Sequence, residues 1–513
     1  MNDVEISQAV SAVLSKYGVQ PEQEKSTTNS VVTATVKETF PANLINQVVE
    51  SCLAEKNVSA SQLVTESKQN HVQSVKGIFS SMNDAVEAAW VAQRQYSLCS
   101  MKDRANFIAG IREVFQTETI LAEISKLAVE ETGMGCYEHK LIKNRVAATK
   151  SPGIEDLATQ ALSGDQGLTL IELSAYGVIG SITPTTNPTE TIICNSIGML
   201  AAGNSVVFSP HPRSRKVSLL AVKYINEKLA ELGAPDNLVV TVDQPSIENT
   251  NALMVHPKVR MLVATGGPSI VRSVMSSGKK AIGAGAGNPP VVVDETADIE
   301  KAAKDIVNGC SFDNNLPCIA EKELIVVNTV ADCLVRHMQN NGAYLLSEQT
   351  KIQLLQNVVL NDKKSGPNTG CVGKSAVYLL EKIGISAPNG TKIILVETDK
   401  KHSFVQHELM MPILPLIRVD NVDEAIDLAV EVEHGNRHTA IMHSTNVEKL
   451  TKMAKLIQTT IFVKNGPSYA GIGVGGEGFA TFTIAGPTGE GLTSARSFAR
   501  QRRCTMVESL NIR

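Results

Sequence analysis

Strands and helices alternate along most of this chain, and that alternation restricts the possible folds more than any other feature. Apolar runs with strand character, among them Ala175–Thr183, Ser205–Phe208 and Pro290–Val293, are separated by segments of helical periodicity. This order is typical of parallel sheets, because each parallel connection needs a crossover that is usually a helix. A second alternating block begins with a predicted helix at Asp298–Cys310. We therefore predict an α/β protein with two parallel-sheet domains. Further strands are predicted at Leu238–Val242, Arg260–Ala264, Glu323–Val327, Lys392–Val396, Thr439–His443 and Thr460–Val463.

The first 76 residues depart from this pattern. Residues 1–18 carry apolar side chains at helical spacing and end at Gly18, which predicts a short amphipathic helix. Residues 19–76 form a polar linker with a weaker helical pattern over Ala42–Ala54. A short helix on a long tether cannot bury its apolar face locally. It therefore docks on a partner, folds back on its own domain, or frays.

Composition excludes several functional classes. The 513 residues include 48 Lys and Arg against 52 Asp and Glu, a net charge of −4, whereas nucleic-acid binders usually show a basic stripe. Aromatic residues make up only 4%, which argues against stacking on bases. The best candidate for a membrane span, Thr191–His211, contains a Gly203-Asn204 turn. We expect neither nucleic-acid nor membrane binding.

The cysteine and histidine patterns indicate a reducing compartment and no metal site. The nine cysteines are an odd number and form no Cys-x-x-Cys pair, and residues 1–16 do not resemble a signal peptide. The ten histidines form no His-Glu-x-x-His motif and do not pair with cysteines at zinc spacing. We expect a cytoplasmic protein with free thiols.

Cys318 is the first candidate for chemistry. It follows the turn-forming sequence Asn-Asn-Leu-Pro and is predicted to open the next regular segment. A thiol close to amide donors or to a helix start has a lowered pKa, and the thiolate is the nucleophile. The alternative is a small buried apolar residue, which is the usual role of a single cysteine.

Four further segments could bind a ligand. The segment 183–191, Thr-Pro-Thr-Thr-Asn-Pro-Thr-Glu-Thr, follows a strand, where ligands of open α/β sheets bind. Its amide could donate to an oxyanion, or the segment is a Pro-Asn turn with Thr189 capping the helix. Gly-Gly at 266–267 and the glycine-rich run 283–287 could approach a ligand closely or be ordinary turns. The basic run 211–216 could bind phosphates or be solvated.

In their order along residues 77–513, these segments resemble the aldehyde dehydrogenase superfamily. The order begins with a Thr-Pro…Asn-Pro loop, which is followed by a strand, Gly-Gly and a helix. A glycine-rich strand, a cysteine and a Glu-x-x-x-Pro motif at 408–412 come next. The similarity is greater to its CoA-acylating branch, which acts on short aldehydes in bacterial microcompartments. The stretches that carry it are Pro184–Leu200, Lys279–Asp294, Phe312–Lys322 and Phe462–Gly491.

The resemblance implies a role for individual residues. Cys318 would attack the aldehyde, while Asn187 and the Cys318 amide would hold the oxyanion. Glu408 would bind the nicotinamide ribose of NAD, and His438 would deprotonate coenzyme A. The other residues implied in dinucleotide binding are Thr183, Pro184, Thr185, Ser209, His211, Gly266, Gly267 and Gly285.

Two departures from the family pattern are informative. Hydrolytic relatives carry a water-activating glutamate before the cysteine, and here that position falls at Gly283 or Ala284. Without this base the thioester would persist until a CoA thiol accepts the acyl group. The usual Lys-Pro-x-Glu of the adenosine site reads Ser-Pro-His-Pro at 209–212, and NAD remains the expected dinucleotide.

The resemblance also implies an architecture and partners. We expect an aldehyde dehydrogenase fold with two parallel-sheet domains, a β oligomerisation arm and an N-terminal helical extension. Residues 1–18 would be an encapsulation peptide that binds a shell protein, and the chain would form a dimer or tetramer inside a bacterial microcompartment. The implied parts are the NAD-binding domain at 77–156 and 176–285, the catalytic domain at 286–494, and the arm at 157–175 and 495–513.

The implied reaction oxidises a short aldehyde, propanal first and acetaldehyde second, to acyl-CoA. Two alternatives remain. A hydrolytic, non-acylating aldehyde dehydrogenase would need the missing glutamate. A microcompartment scaffold or cargo protein with a relic site would not need Cys318, Asn187 and Glu408 to be intact.

Overall fold

The computed structural model describes residues 76–361, 363 and 365–512, and secondary structure accounts for most of them. The helix predicted for residues 1–18, and the linker up to residue 75, lie outside this range. The strands are β1 Ile78–Phe79, β2 Gln160–Gly164, β3 Gly167–Ala175, β4 Val178–Thr183, β5 Ser205–Pro210, β6 Val239–Val242, β7 Val259–Thr265, β8 Lys280–Ala284, β9 Pro290–Val293, β10 Glu323–Val327, β11 Ala343–Leu345, β12 Ile393–Glu397, β13 Ile413–Val419, β14 Thr439–His443, β15 Ile461–Lys464, β16 Ile484–Ala485, β17 Gly491–Leu492 and β18 Ala499–Val507.

The helices pack mainly on the faces of the sheets. They are α1 Met82–Tyr96, α2 Met101–Val114, α3 Glu118–Thr132, α4 Tyr137–Lys150, α5 Pro188–Ala201, α6 Arg215–Glu231, α7 Ile247–Val255, α8 Pro268–Met275, α9 Ile299–Ser311, α10 Asn328–Asn340, α11 Gln349–Val359, α12 Ala376–Lys382, α13 Ser403–Gln406, α14 Val422–Val432 and α15 Val447–Ile457. Several start at a side-chain cap; Ser100 and Asp103, for example, form a capping box at α2.

Two parallel sheets confirm the predicted fold class. The first has the strand order β1-β6-β5-β4-β7-β8, and the second has the order β11-β12-β13-β10-β9-β14-β15. Strands β4, β5, β6, β9 and β10 are buried along their whole length, as expected for parallel strands covered on both faces. Helix α5 is also buried at every position, so it lies inside the first domain.

The first sheet reverses its direction of growth between β4 and β7. From β4 the chain adds β5 and β6 on one side and then returns to add β7 and β8 on the other. The crevice at the carboxyl ends of β4 and β7 is the position where open α/β sheets bind ligands. Residues 285–289 then lead from β8 to β9, so this short connection crosses from the first sheet to the second.

A three-stranded antiparallel sheet of β2, β3 and β18 lies outside both parallel sheets. Strand β18 pairs with β3 over nine residues, from Ala499 opposite Ala175 to Val507 opposite Gly167. Most side chains of β2 and β18 are exposed. We call this sheet, formed by β2, β3 and β18, the arm.

Some predicted elements are wrong in detail. Ala175–Thr183 is not one strand, because Gly177, at φ +129°, separates β3 from β4 and sends them into different sheets. Thr189 does not cap α5. The capping position belongs to Asn187, whose side chain makes no cap, and the Thr189 hydroxyl donates to Glu190. In the described part of the chain, no helix has both the length and the apolar character that a membrane crossing requires.

Candidate active site

Cys318 lies in a turn rather than at the start of a strand. The preceding residues Asp313, Asn314 and Asn315 have φ values of +51°, +54° and +65°, so three successive residues adopt the left-handed conformation. Strand β10 begins only at Glu323, and the prediction that Cys318 opens the next regular element is therefore wrong. Asparagine and aspartate tolerate this conformation better than other side chains, which explains the Asp-Asn-Asn sequence.

Gly287 brings Cys318 and His438 together. A Cβ atom built on Gly287 would lie 2.7 Å from the carbonyl oxygen of Cys318 and 2.9 Å from Cγ of His438. Real Cβ atoms do not approach other atoms this closely, so glycine is required where the connection from β8 to β9 passes the cysteine turn. The nucleophile and the histidine predicted from sequence are neighbours in the structure.

Burial and a nearby carboxylate suppress ionisation of the Cys318 thiol. Burial raises the pKa of Cys318 to about 12, and the negative charge of Glu408 acts in the same direction. The ammonium groups of Lys322 and Lys143 oppose this shift only in part. The lowered thiol pKa predicted from the turn is therefore wrong, because the sequence does not show how deeply the turn is enclosed.

Glu408 is placed close enough to Cys318 to affect its charge. It lies after α13, in the connection to β13, and its side chain is partly buried. Burial raises the pKa of Glu408, whereas Lys322 and a hydrogen bond from the Gly287 backbone lower it. The same glycine therefore contacts Cys318, His438 and Glu408.

His438 is a neutral base in this environment. Burial and the charge of Lys322 lower its pKa to about 4. Its Nδ1 lies 2.9 Å from the hydroxyl oxygen of Thr439. Its buried Nε2 has no hydrogen-bond partner among the described residues. When Nδ1 carries the proton and donates to Thr439, Nε2 is free to accept a proton.

Asn187 is buried at the start of α5 and is held by a lysine. Its Oδ1 accepts a hydrogen bond from Nζ of Lys143 at 2.6 Å, and its Nδ2 donates to Thr186 Oγ1 at 3.2 Å. No described contact joins Asn187 directly to Cys318, but Lys143 contacts both Asn187 and Asp313, in the turn that leads to the cysteine.

A buried cluster of four charges lies behind these two loops. Lys140 and Lys143 of α4 approach Glu190 and Asp313, and all four side chains are at most 1% exposed. We call Lys140, Lys143, Glu190 and Asp313 the four-charge cluster. The sequence analysis missed it. The available signal was weak, since two lysines three residues apart on a helix usually face solvent.

The residues predicted to bind a dinucleotide lie together at one edge of the first sheet. Thr183 of β4 pairs with Pro210 of β5, and Thr265 of β7 pairs with Ala284 of β8. The segments that continue from these strand ends contain Pro184 and Thr185, His211, Gly266 and Gly267, and Gly285. The predicted residues thus converge on the crevice between β4 and β7, apart from Glu408, which lies beside Cys318.

This edge has the features needed to hold a dinucleotide. The hydroxyl of Thr183 is buried without a hydrogen-bond partner among the described residues. Gly267, which precedes α8, is exposed, and a Cβ built on it would meet no atom within 4 Å, so a ligand has room to approach the backbone there. The hydroxyl of Ser209 lies 2.8 Å from that of Thr250, and its role in dinucleotide binding stays a prediction.

The positions of the missing glutamate leave no room for one. A Cβ on Gly283 would lie 2.7 Å from Cγ1 of Val271. Ala284 is buried at 3% exposure. Within residues 76–361, 363 and 365–512, the side chains also form no group of three or more that could hold a metal ion.

Comparisons with known proteins agree with this arrangement. Residues 58–350 and 385–479 match the model of the aldehyde dehydrogenase family. A propanal dehydrogenase (CoA-propanoylating) of Salmonella typhimurium is 50% identical to the chain, over 89% of the chain and 98% of the relative.

Two solved structures are similar along most of their length. A Rhodopseudomonas palustris propionaldehyde dehydrogenase with bound CoA and an acylated cysteine has 72% identity and a TM-score of 0.84, covering 85% of this chain and 99% of that one. A propionaldehyde dehydrogenase from the Clostridium phytofermentans fucose utilisation bacterial microcompartment has 51% identity and a TM-score of 0.83. The match covers 85% of this chain and 100% of that one. The chain belongs to the aldehyde dehydrogenase family, in its CoA-acylating branch.

Proposed function

We propose that this protein oxidises a short-chain aldehyde to its CoA thioester and passes the hydride to NAD, with Cys318 as the nucleophile. Propanal is the first candidate substrate and acetaldehyde the second. The observation that carries the proposal is the packing of Cys318 and His438 on Gly287. The position expected for the glutamate of hydrolytic relatives, Gly283 or Ala284, carries no carboxylate.

The first step forms a bond between Sγ of Cys318 and the aldehyde carbon. As this bond forms, the S–H proton passes to solvent and the π pair of the carbonyl moves onto the oxygen, which becomes negative. Nδ2 of Asn187 and the backbone amide of Cys318 donate to that oxygen. Such donors stabilise the oxyanion, because they are already oriented when the charge develops.

The dinucleotide supplies the acceptor for the hydride that leaves the thiohemiacetal, so that a thioester remains on Cys318. Gly266 and Gly267 would border its pyrophosphate through their backbone. Thr183, Pro184, Thr185, Ser209, His211 and Gly285 surround the same crevice, and Glu408 would bind the ribose beside Cys318.

The second half of the reaction transfers the acyl group to CoA. We assign Nε2 of His438 to accept the proton of the CoA thiol, because this nitrogen is buried without a partner among the described residues and its ring packs, like Cys318, against Gly287. The CoA sulfur then bonds to the acyl carbon and Cys318 leaves as the thiolate. At Gly283 and Ala284 there is no carboxylate to activate water, so CoA competes favourably for the thioester.

The decisive experiment measures NADH formation from propanal with and without CoA. We expect wild type to require CoA, and Cys318→Ala to lose at least about 10³-fold in kcat, since loss of a catalytic nucleophile has effects of this size or larger. Cys504→Ala, an exposed cysteine in the arm, is the control and keeps wild-type rates.

Each other outcome supports an alternative. Equal rates without CoA would indicate a hydrolytic enzyme whose water is activated elsewhere. Inactivity under both conditions, with a folded protein, would favour a scaffold or cargo role. Acetaldehyde and NADP, assayed in parallel, test the preferences for substrate and dinucleotide.

We further propose that residues 1–18 bind a microcompartment shell protein and that the arm joins chains into a dimer or tetramer. The microcompartment origin of one similar structure supports the first proposal. The exposed strands β2 and β18 support the second, because an apolar side chain such as Leu162 is 58% exposed there. A single-chain mass in sedimentation would contradict the oligomer.

A further inference from the structure

The orientation of the Asn187 amide is fixed by its partner. An asparagine side chain can present either its oxygen or its NH2 group in a given direction, and only the NH2 group can donate to an oxyanion. Oδ1 of Asn187 lies 2.6 Å from Nζ of Lys143. Because an ammonium group has donors and no acceptor, the amide oxygen must face Lys143. Nδ2 therefore faces away, with one hydrogen directed at Thr186 and the other available.

Lys143 is charged and fully engaged. Besides Asn187, its Nζ lies 2.6 Å from Oδ2 of Asp313 and 2.9 Å from Oε1 of Glu190. Burial alone would lower the pKa of Lys143, but these two carboxylates outweigh burial and raise it. The ammonium group thus makes one hydrogen bond, to Asn187, and two ion pairs, to Asp313 and Glu190, and the buried carboxylates hold it in place beside the amide.

Lys140 provides an internal comparison. It lies one turn earlier on α4, is equally buried, and approaches the same two carboxylates, Asp313 at 3.1 Å and Glu190 at 3.8 Å. Its remaining contact differs, since it donates to the backbone carbonyl of Thr186 at 2.6 Å. Lys140 therefore holds the main chain of the loop, whereas Lys143 holds the amide side chain.

We propose that Lys143 is a positioning residue, which holds the NH2 group of Asn187 toward the oxyanion and ties this loop through Asp313 to the turn of Cys318. The inference rests on the proposed role of Asn187 as an oxyanion donor. Lys143 itself does not touch the substrate. Its effect on catalysis must therefore disappear when the Asn187 amide is absent.

The test is a double-mutant cycle on kcat, with Lys143→Met, Asn187→Ala and the double variant. Removal of one oxyanion donor typically costs about 10²–10³ in kcat. We expect a loss of about 10²-fold or more in Asn187→Ala and a loss of similar size in Lys143→Met. The kcat of the double variant should be less than about threefold below that of Asn187→Ala, because the effects of two residues that act through one group do not add. Lys140→Met is the matched control. The factor by which it lowers kcat should be the same in the wild-type protein and in Asn187→Ala.

The outcomes separate this inference from the proposed function. Wild-type kcat in Asn187→Ala would overturn the oxyanion role of Asn187 and with it the role of Lys143, while the CoA-dependent reaction through Cys318 is tested separately by Cys318→Ala. Two outcomes would overturn the role of Lys143 alone. In the first, kcat falls in Asn187→Ala but not in Lys143→Met. In the second, kcat falls in both, and the two fold-losses multiply in the double variant. If thermal unfolding shows that Lys143→Met does not fold, the cycle is repeated with Glu190→Gln added to every variant. In the variants with Lys143→Met, the buried cluster then lacks one positive and one negative charge, and Lys140 remains paired with Asp313.

Discussion

At the residue scale, the reactivity of Cys318 depends on groups that are distant in sequence. Glu408 follows it by 90 residues, yet its charge helps to raise the pKa of the thiol, after the larger effect of burial. A high thiol pKa keeps the cysteine protonated and protects it from oxidation or alkylation between turnovers, since the thiolate is the reactive form.

Removal of the Glu408 charge should therefore make Cys318 more reactive. In Glu408→Gln the repulsion of the thiolate is lost, so the pKa of Cys318 falls and the thiolate fraction at pH 8 rises. We expect alkylation of Cys318 by iodoacetamide, followed by mass spectrometry of its peptide, to be about tenfold faster, which corresponds to about one pKa unit. Cys333 in the same protein serves as the control and keeps its rate. An unchanged or slower rate at Cys318 would contradict this account.

The sequence allowed several individual residues to be identified, but not their environment. Cys318, Asn187, Glu408 and His438 were predicted because each lies in a recognisable local motif. Their roles remain proposals, although the structure places Cys318, Glu408 and His438 around Gly287. The raised thiol pKa and the burial of Lys143 could not be predicted, because both depend on which distant elements cover a residue.

At the scale of elements, the connection between β8 and β9 serves both domains. Its residues 285–289 leave the dinucleotide edge of the first sheet and enter the second sheet, and Gly287 contacts the cysteine turn midway. The side chain of Asn288, next in sequence, donates to the backbone carbonyls of Val405 and Val432 and anchors the connection.

Substitution at Gly287 should damage the site without unfolding the protein. In Gly287→Ala the new methyl group would overlap the Cys318 carbonyl and the His438 ring, so one of them must move. Because a displacement of about 1 Å can cost about 10²-fold, we expect kcat to fall by at least tenfold. Gly466→Ala is the control, since a Cβ there has only ordinary contacts at 3.6 and 3.9 Å. An active Gly287→Ala with an unchanged melting temperature would show that the packing at Gly287 is not needed.

Most elements could be predicted from hydrophobic pattern, and the exceptions have physical reasons. Strands β9, β10 and β14 have the predicted bounds, because each is a mostly apolar run. Strand β8 does not follow from the hydrophobic pattern, since it carries Lys280 and Gly283, and only the family resemblance implies a glycine-rich strand there. Strand β1 was missed because two residues give no periodicity. The split between β3 and β4 depends on the φ of Gly177, which apolar patterning does not report.

At the scale of the whole molecule, every residue that we assign to the candidate site, including Lys140 and Lys143, lies between Lys140 and His438 in sequence, far from residues 1–18. Deletion of residues 1–18 should therefore leave kcat and KM for propanal within about twofold of wild type, while the protein no longer co-purifies with microcompartment shells. A variant with residues 6–18 in scrambled order controls for length. Loss of activity in either variant, or retained co-purification, would contradict the division of roles.

The arm also determines when the molecule can be completed. Strand β18 follows every strand of the two parallel sheets in sequence, and it pairs with β3, whose residues lie between 324 and 340 positions earlier, from Ala499 opposite Ala175 to Val507 opposite Gly167. Both parallel sheets can form before that strand exists, since all of their strands precede it. Contacts between residues so far apart in sequence form slowly. The edge of β3 that faces away from β2 thus stays unpaired until β18 has been synthesised, and any assembly that needs the complete arm must follow that pairing.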